Sequence, residues 1–229
     1  MNLLAIDSSC SILCAAVLKN EEFYFSEIEG VMTRSEFIMD CIDKVMVKAS
    51  LKPNDLNGVL CMKGPGSFTG LRIGYSTAKG LALSLSIPFA PVPTLDCVAR
   101  GILEKSLQDS SYHALSIVNA SKNSFFYAFY RVNQNSSPSI TRLTQDRDGD
   151  INKIIEDIKQ YQEKLIITGP GTALAGKLLP ENIKNACVIF DETRAYAKEL
   201  ITIAKYTKIL DNDVAAFLYS GPEYNRLPG

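Results

Sequence analysis

The sequence is poor in the side chains that most often carry catalysis or hold metal ions. Its 229 residues include one histidine, His113, and no tryptophan. A single histidine excludes a site built from several imidazoles, and we expect His113 to be a surface or half-buried residue without a catalytic role. The six cysteines form no C-x-x-C pair and have no histidine partners, so their spacing predicts no metal site.

An excess of either charge is also missing. The chain has 24 lysines and arginines against 25 aspartates and glutamates, a net charge of −1, and the two signs are spread evenly. This balance gives no general attraction to nucleic-acid phosphates or to anionic membranes. No apolar run approaches the roughly eighteen residues that span a bilayer, and no charged leader precedes the first strand. We therefore expect a cytoplasmic protein with reduced cysteines and no membrane contact.

One order of elements occurs twice in the chain: three strands, a helix, a strand, a Gly-Pro-Gly turn, a helix, a strand and a helix. In the first half, apolar runs and helical spacing predict strands at 3–6, 12–18, 23–26, 59–62 and 88–92 and helices at 35–49, 71–86 and 94–107. In the second half, the same signals predict strands at 114–118, 125–132, 140–143, 165–168 and 188–190 and helices at 151–161, 172–179 and 194–210.

The two Gly-Pro-Gly turns, 64–66 and 169–171, fall at matching points of this repeated order. The pattern predicts an α/β fold made of two similar units, each built on a mixed sheet. We place the first unit at 1–104 and the second at 105–229, and we expect a C-terminal segment from about 205 to 229 to pack back on the first unit.

The first glycine turn is a candidate phosphate-binding loop. A glycine-rich turn between a strand and a helix brings backbone N–H groups onto a phosphate, and the residues available here are Gly64, Gly66, Ser67, Thr69 and Gly70. The turn is not a P-loop, and it has threonine where the dinucleotide fingerprint needs its third glycine. The alternative is a tight structural turn in which Ser67 or Thr69 caps the following helix.

Asp7 ends the first predicted strand and is followed by two serines. This turn is similar to the phosphate-binding turn of actin-like ATPases, in which an aspartate lies beside a metal ion and a glycine lets backbone amides reach the phosphate. Here serine replaces that glycine. Asp7 is therefore either a helper carboxylate or, as we favour, a local cap of its own turn.

Two helices of the first unit have more apolar or small residues than a single contact face requires. Nine of the fifteen residues in 35–49 are apolar. The helix after the glycine turn has one row of small residues at Gly70, Gly74, Ala78 and Ala82 and a second at Ser76, Gly80 and Ser84. Each interior glycine costs a helix about 1 kcal/mol relative to alanine. Such helices indicate a partner surface, although both faces could also pack inside the chain.

Four phrases of the sequence resemble those of one family. They are Leu4-Ala-Ile-Asp7, the stretch from Gly64 to Gly74, Gly80-Leu-Ala and Pro222-x-Tyr224-x-Arg226. Together they resemble the TsaB (YeaZ) family, and the glycine phrase is its most specific signature. The resemblance implies a duplicated ribonuclease-H-like fold of the actin/Hsp70/sugar-kinase (ASKHA) class. It also implies a role in forming N6-threonylcarbamoyladenosine next to the anticodon of tRNA.

The resemblance further implies a non-catalytic scaffold or activator, with no catalytic residue of its own, that forms a heterodimer with the homologous transferase TsaD. It implies that the ATPase TsaE joins the complex and that tRNA is reached only through the complex. Because the apolar surface of the two helices is unpaired when the chain is alone, we also expect the isolated chain to form a homodimer. The isolated chain needs no cofactor, with a nucleotide at the partner interface left open. The partner contact implied for the first two helices comprises Phe37, Ile38, Met39, Ile42, Met46, Leu71, Gly74, Tyr75, Ala78 and Ala82. The alternative function is an independent actin-like ATPase or kinase, motivated by Asp7 and the glycine turns.

Overall fold

The chain is organised as two compact units in a computed structural model that describes residues 1–30, 34–104, 111–134, 139–161, 164–191, 194–207, 210 and 221–223. The first unit consists of Met1–Thr94 together with Ala195–Gly229, and the second of Leu95–Arg194. The first unit is therefore discontinuous in sequence.

The first unit is a five-stranded mixed sheet with helices on it. Its strands are β1 (Leu3–Asp7), β2 (Leu13–Lys19), β3 (Glu22–Ile28), β4 (Gly58–Gly64) and β5 (Phe89–Pro93). Their spatial order is β3-β2-β1-β4-β5, with β1, β4 and β5 parallel and β2 and β3 antiparallel to their neighbours. The helices on this sheet are α1 (Arg34–Lys48), α2 (Phe68–Leu85) and α7 (Ala197–Thr207).

The central strands of this sheet are apolar on both faces because helices cover both. Leu4 and Ile6 of β1 join one core cluster with α1 and α2. Leu3 and Ala5 alternate with them and are equally buried, on the face where α7 packs against β1, β2, β4 and β5. A strand covered in this way reads as a continuous apolar run instead of an alternating one.

The second unit repeats this sheet order. Its strands are β6 (Ser111–Ser121), β7 (Ser124–Asn133), β8 (Ser139–Arg142), β9 (Arg147–Asp150), β10 (Leu165–Gly169) and β11 (Cys187–Asp191). They run β11-β10-β6-β7-β8, and β9 pairs with β7. The remaining helices are α3 (Thr94–Gly101), α4 (Ile151–Ile158), α5 (Thr172–Leu178) and α6 (Glu181–Ala186).

The predicted fold class is confirmed, since both sheets have the same order and the same mixture of parallel and antiparallel pairs. The division of the chain differs from the expected 1–104 and 105–229. It falls after Thr94, and the chain rejoins the first unit at Ala195, because α7 packs on the first sheet.

Several element boundaries also differ from the expected ones. Within the predicted helix 94–107, α3 ends at Gly101 and a 3-10 turn follows to Glu104, whereas 105–107 lie outside the described residues. Most of 205–229, including Tyr224 and Arg226, lies outside them too. Within the described ranges, no helix combines the length and apolar character that a membrane crossing needs.

The packing of α7, where the chain rejoins the first unit, predicts how two substitutions affect stability. Leu200 is fully buried, so Leu200→Ala leaves a cavity, and we expect the free energy of unfolding to fall by about 2–5 kcal/mol. Thr202 is only half-buried on the same helix and bonds its own helix, and Thr202→Ala should change stability by less than about 0.5 kcal/mol. Urea unfolding compares the two variants, and equal effects would contradict the packing of α7.

Candidate functional site

The glycine turn after β4 packs directly against the turn between β1 and β2. The amide of Ser67 donates a hydrogen bond to the carbonyl of Ser9 at 2.8 Å, and the hydroxyl of Ser8 donates to the carbonyl of Gly70 at 2.7 Å. Ser67 is also the N-cap of α2, since its hydroxyl accepts from the amide of Gly70 at 3.2 Å. Of the two expected caps, Ser67 therefore fills the role, and Thr69 is exposed inside the first turn of the helix.

Three glycines make this close approach possible. A Cβ at Gly66 would lie 2.8 Å from the carbonyl oxygen of Ser9. A Cβ at Gly70 would overlap the carbonyl oxygen of Ser8, and one at Gly74 would overlap the Ser8 hydroxyl. Gly66 and Gly70 are therefore explained by contact with backbone, and Gly74 by contact with the Ser8 side chain, all within the first unit. This is the structural alternative for the turn.

Position 64, at the end of β4, requires glycine for a different reason. Its φ of +122° lies in a region that other residues rarely adopt. Its Cα also faces the carbonyl of Glu223, whose amide donates to the carbonyl of Lys63 at 2.8 Å. The Glu223 carboxylate forms an ion pair with the ammonium group of Lys63 at 2.5 Å. The expected return of the C-terminal segment to the first unit thus includes this contact at Glu223, whereas sequence reasoning missed its partners, Lys63 and Gly64.

Asp7 is fully buried, and its carboxylate accepts three hydrogen bonds from the protein. The Ser9 amide donates to Oδ1 at 3.0 Å, the Ser9 hydroxyl donates to Oδ1 at 2.7 Å, and the Tyr196 amide donates to Oδ2 at 2.9 Å. Burial raises the pKa of Asp7, and these bonds and the charge of Arg34 oppose that rise. The carboxylate thus caps its own turn and also holds the segment that leads into α7.

The thiol and imidazole groups of the described residues form no reactive cluster. Burial raises the pKa of Cys10 to about 12, which keeps the thiol protonated at neutral pH. His113 is half-buried, with its ring centroid 4.9 Å from that of Tyr161. No group of three histidine, cysteine, aspartate or glutamate side chains within these residues is arranged to hold a metal ion.

The residues expected at the partner contact fall into two groups. Eight are buried in the core of the first unit: Ile38, Ile42, Met46, Leu71, Gly74, Tyr75, Ala78 and Ala82. Tyr75, for example, packs edge-on against Phe89 with ring centroids 5.1 Å apart. Only Phe37 and Met39 are exposed, at 37% and 45%. The row Gly70, Gly74, Ala78 and Ala82 is thus the inner face of α2.

Phe37 and Met39 lie on opposite flanks of α1, because residues two apart in a helix do not share a face. Lys48 lies on the flank of Phe37, three turns later, and its ammonium group donates to the carbonyl of Phe25 on the edge strand β3. That flank therefore faces the edge of the sheet. Met39 lies on the other flank, toward α2, so Met39 is the member of the pair that borders the helix–helix groove.

The outward face of α2 contains the second row of small residues: Ser76, Gly80 and Ser84. The Ser76 hydroxyl donates to the carbonyl of Arg72 at 2.7 Å, and the Ser84 hydroxyl donates to the carbonyl of Leu81 at 2.9 Å. No atom lies within 4 Å of the Cβ position of Gly80, other than the helix's own nearby backbone. Beside this row Leu83 is 45% exposed. Along this row the side chains are small, and the hydroxyls of Ser76 and Ser84 donate to carbonyls of α2 itself.

Known proteins match the chain along most of its length. The family model described as TsaD, tRNA N6-adenosine threonylcarbamoyltransferase, matches residues 29–218. The tRNA threonylcarbamoyladenosine biosynthesis protein TsaB of Buchnera aphidicola subsp. Schizaphis graminum is 32% identical over 169 residues, which are 74% of this chain and 78% of that protein. The TsaB protein of Escherichia coli is 29% identical over 136 residues, 59% of this chain and 57% of that protein.

Solved structures match the fold. YeaZ from Pseudomonas aeruginosa superposes with a TM-score of 0.75 at 15% identity, over 90% of this chain and 92% of that one. A second structure, described as an uncharacterized protein with similarity to peptidase YeaZ from Pseudomonas aeruginosa, gives 0.76 at 16% identity over 98% and 99%. At these identities the likeness extends to the fold alone.

Two glycines of α2 should respond to alanine in opposite ways. Gly70→Ala places a Cβ on the Ser8 carbonyl, and we expect the free energy of unfolding to fall by about 1–3 kcal/mol. Gly80→Ala meets no neighbour and gains helix propensity, so stability should rise by about 0.5–1 kcal/mol. Urea unfolding measures both, and a loss of stability in Gly80→Ala would contradict the open space at Gly80.

The raised pKa of Asp7 predicts a pH dependence. The folded protein holds a proton on Asp7 at pH values where the unfolded chain, with a pKa near 3.8, has released it. The contribution of Asp7 to stability is therefore most favourable at acidic pH and declines as pH rises above about 4. Relative to Asp7→Asn, the wild-type chain should be more stable at pH 4 than at pH 7, as measured by urea unfolding. If the stability of the wild-type chain relative to Asp7→Asn instead rose from pH 4 to pH 7, the hydrogen bonds to Asp7 would outweigh the effect of burial on its pKa.

Proposed function

The chain belongs to the TsaB (YeaZ) family, and from that membership we propose that it is a non-catalytic subunit in the biosynthesis of N6-threonylcarbamoyladenosine in tRNA. In this proposal it binds the transferase TsaD as a heterodimer and supports the activity of that enzyme. TsaE joins the complex, and tRNA is bound through the complex and not by this chain alone. A near-neutral net charge agrees with such an indirect role.

The outward face of α1 and α2 is the observation that carries the proposal. Met39 and Leu83 are large apolar residues, each 45% exposed, on helices whose inner faces are already packed. Gly80 lies three residues before Leu83 on α2, and its open surroundings give no packing reason for a glycine there. Large apolar residues that stay exposed on helices already packed on their inner faces are typical of a protein contact. In the absence of the transferase, we propose that the same face pairs two copies of this chain.

Two features of the chain favour a supporting role over an independent ATPase or kinase. The Asp7 carboxylate is committed to three protein donors and is fully buried. In addition, the glycines of the neighbouring turn serve the contact with Ser8 and Ser9. A carboxylate that helps to bind a metal ion must offer an oxygen to that ion. These features favour the scaffold role as the proposed function.

The proposed TsaD contact predicts that a single charge on its surface weakens binding to TsaD. Met39→Asp places a carboxylate on the proposed face, and we expect it to abolish co-migration with the cognate TsaD on a sizing column and to reduce tRNA modification by the pair. It should also reduce any self-association of the chain seen by light scattering.

Leu143→Asp is the matched control, because Leu143 is exposed to a similar degree, 42%, in the second unit. We expect this variant to co-migrate with TsaD as the wild-type chain does. Failure of the wild-type chain to bind TsaD, together with unchanged tRNA modification in its absence, would overturn the proposed function.

A further inference from the structure

The outer edge of the first sheet is formed by β3. In the described part of the chain β3 pairs with β2 alone. The two strands are joined by a two-residue turn, Asn20-Glu21, and both of its residues have positive φ. Lys19 and Glu22 close this turn as a hydrogen-bonded pair, and along the strands such pairs alternate with pairs that are not hydrogen-bonded. The backbone N–H and C=O groups that point away from β2 are therefore those of Phe23, Phe25 and Glu27.

Aromatic side chains lie along this edge. The rings of Phe23 and Phe25 stack with centroids 6.1 Å apart and an angle of 9° between their planes. Phe25 is 37% exposed. Lys198 of α7 lies over the Phe23 ring, 5.7 Å from its centroid, so both rings are on the face of the sheet that α7 covers. An edge strand with exposed aromatic rings and outward backbone groups is a template for a strand of another molecule unless something blocks it.

Lys48, the last residue of α1, reaches the centre of this edge. Its ammonium group donates to the outward carbonyl of Phe25 at 2.7 Å. Because β3 has seven residues with Phe25 in the middle, full antiparallel overlap of two copies sets Phe25 opposite Phe25. The two Lys48 ammonium groups would then meet at the two-fold axis. Each would lose its carbonyl partner and part of its hydration, and the two charges would repel each other.

The acidic residues of β3 do not oppose this pairing in the same way. In the register centred on Phe25, Glu22 would lie opposite Ile28 of the second copy and Glu27 opposite Phe23. Like charges destabilise an antiparallel pair when they are directly opposite, and no two glutamates of β3 are opposite each other in this register. The charge at the centre of the edge is therefore that of Lys48.

We propose that Lys48 protects the open edge of the first sheet and keeps β3 from pairing with β3 of a second copy. Without the ammonium group, the Phe25 carbonyl is open to an N–H of another strand, and the sheets of two copies can continue into one. The inference does not rest on the proposed function, because Lys48 and β3 lie on the flank of α1 away from Met39.

Lys48→Met tests this role, because it removes the charge and keeps a side chain of similar length. The substitution is made in the Met39→Asp chain, in which pairing through the outward face of α1 and α2 is weakened. We expect sedimentation velocity over a concentration series to show self-association roughly tenfold tighter, or more, than that of Met39→Asp alone. Lys48→Arg keeps the cation and should associate as Met39→Asp does.

Lys159→Met in the same Met39→Asp chain is the matched control. Lys159 is an exposed lysine at the C-cap of α4, so this variant also removes a cation from the C-terminal end of a helix. It should associate no more tightly than Met39→Asp alone. Urea unfolding of each full chain checks that the variants are folded, as expected for exposed side chains. Unchanged association in Lys48→Met, or an equal gain in Lys159→Met, would overturn the protective role of Lys48.

A proline at residue 25 tests whether the new contact uses the edge of β3. Added to Lys48→Met, Phe25→Pro removes an outward N–H and no hydrogen bond to β2, so association should return to that of Met39→Asp alone. Phe25→Ala loses the same ring but keeps the N–H, and its association should persist. Association that survives Phe25→Pro would overturn the pairing through β3, and so would an equal loss in Phe25→Ala.

Discussion

The close backbone contact between the β1–β2 turn and the start of α2 is the constraint on which the first unit depends. Gly66 and Gly70 bring α2 onto the carbonyls of Ser9 and Ser8, nearer than any side chain would allow. This contact fixes the direction in which α2 leaves β4 and, with it, the faces that α2 turns inward and outward. Asp7 completes the arrangement by capping the same turn and by accepting the amide of Tyr196, a residue 189 positions away in sequence. The start of α2 and the entry to α7 therefore meet at one turn.

The second unit uses a similar device at the matching place. The amide of Gly171 donates to the carbonyl of Ile117 at 3.0 Å, and a Cβ at Gly171 would lie 3.1 Å from that carbonyl group. Gly169 has a φ of +114°, as Gly64 has +122°. The two Gly-Pro-Gly turns thus solve the same steric problem: a helix must begin immediately beside a neighbouring parallel strand. This shared geometry accounts for both turns without a bound phosphate.

The sequence was sufficient to predict the order of most strands and helices along the chain and the duplication, because long apolar runs and paired glycine turns are local signals. It was insufficient for the inner and outer faces of α2. Both rows of that helix consist of small residues, and the contact of Gly74 with Ser8 involves a turn more than sixty residues away. The long-range contacts of Asp7 with Tyr196 and of Lys63 with Glu223 leave no periodic trace. Those contacts assign α7 and the described C-terminal residues to the first unit.

The inner and outer faces of α2 have different roles: the inner face packs against the first unit, and the outer face stays open. Its inner face needs glycine because the backbone of Ser8 lies against it, whereas Gly80 on its outer face has no such neighbour. Each glycine lowers intrinsic helix stability by roughly 1 kcal/mol, so α2 depends on tertiary packing, including that of Tyr75 against Phe89. Packing of the inner face therefore stabilises a helix whose outer face stays small and smooth. A surface of that kind suits close association with another helix far better than it suits binding of a charged nucleotide.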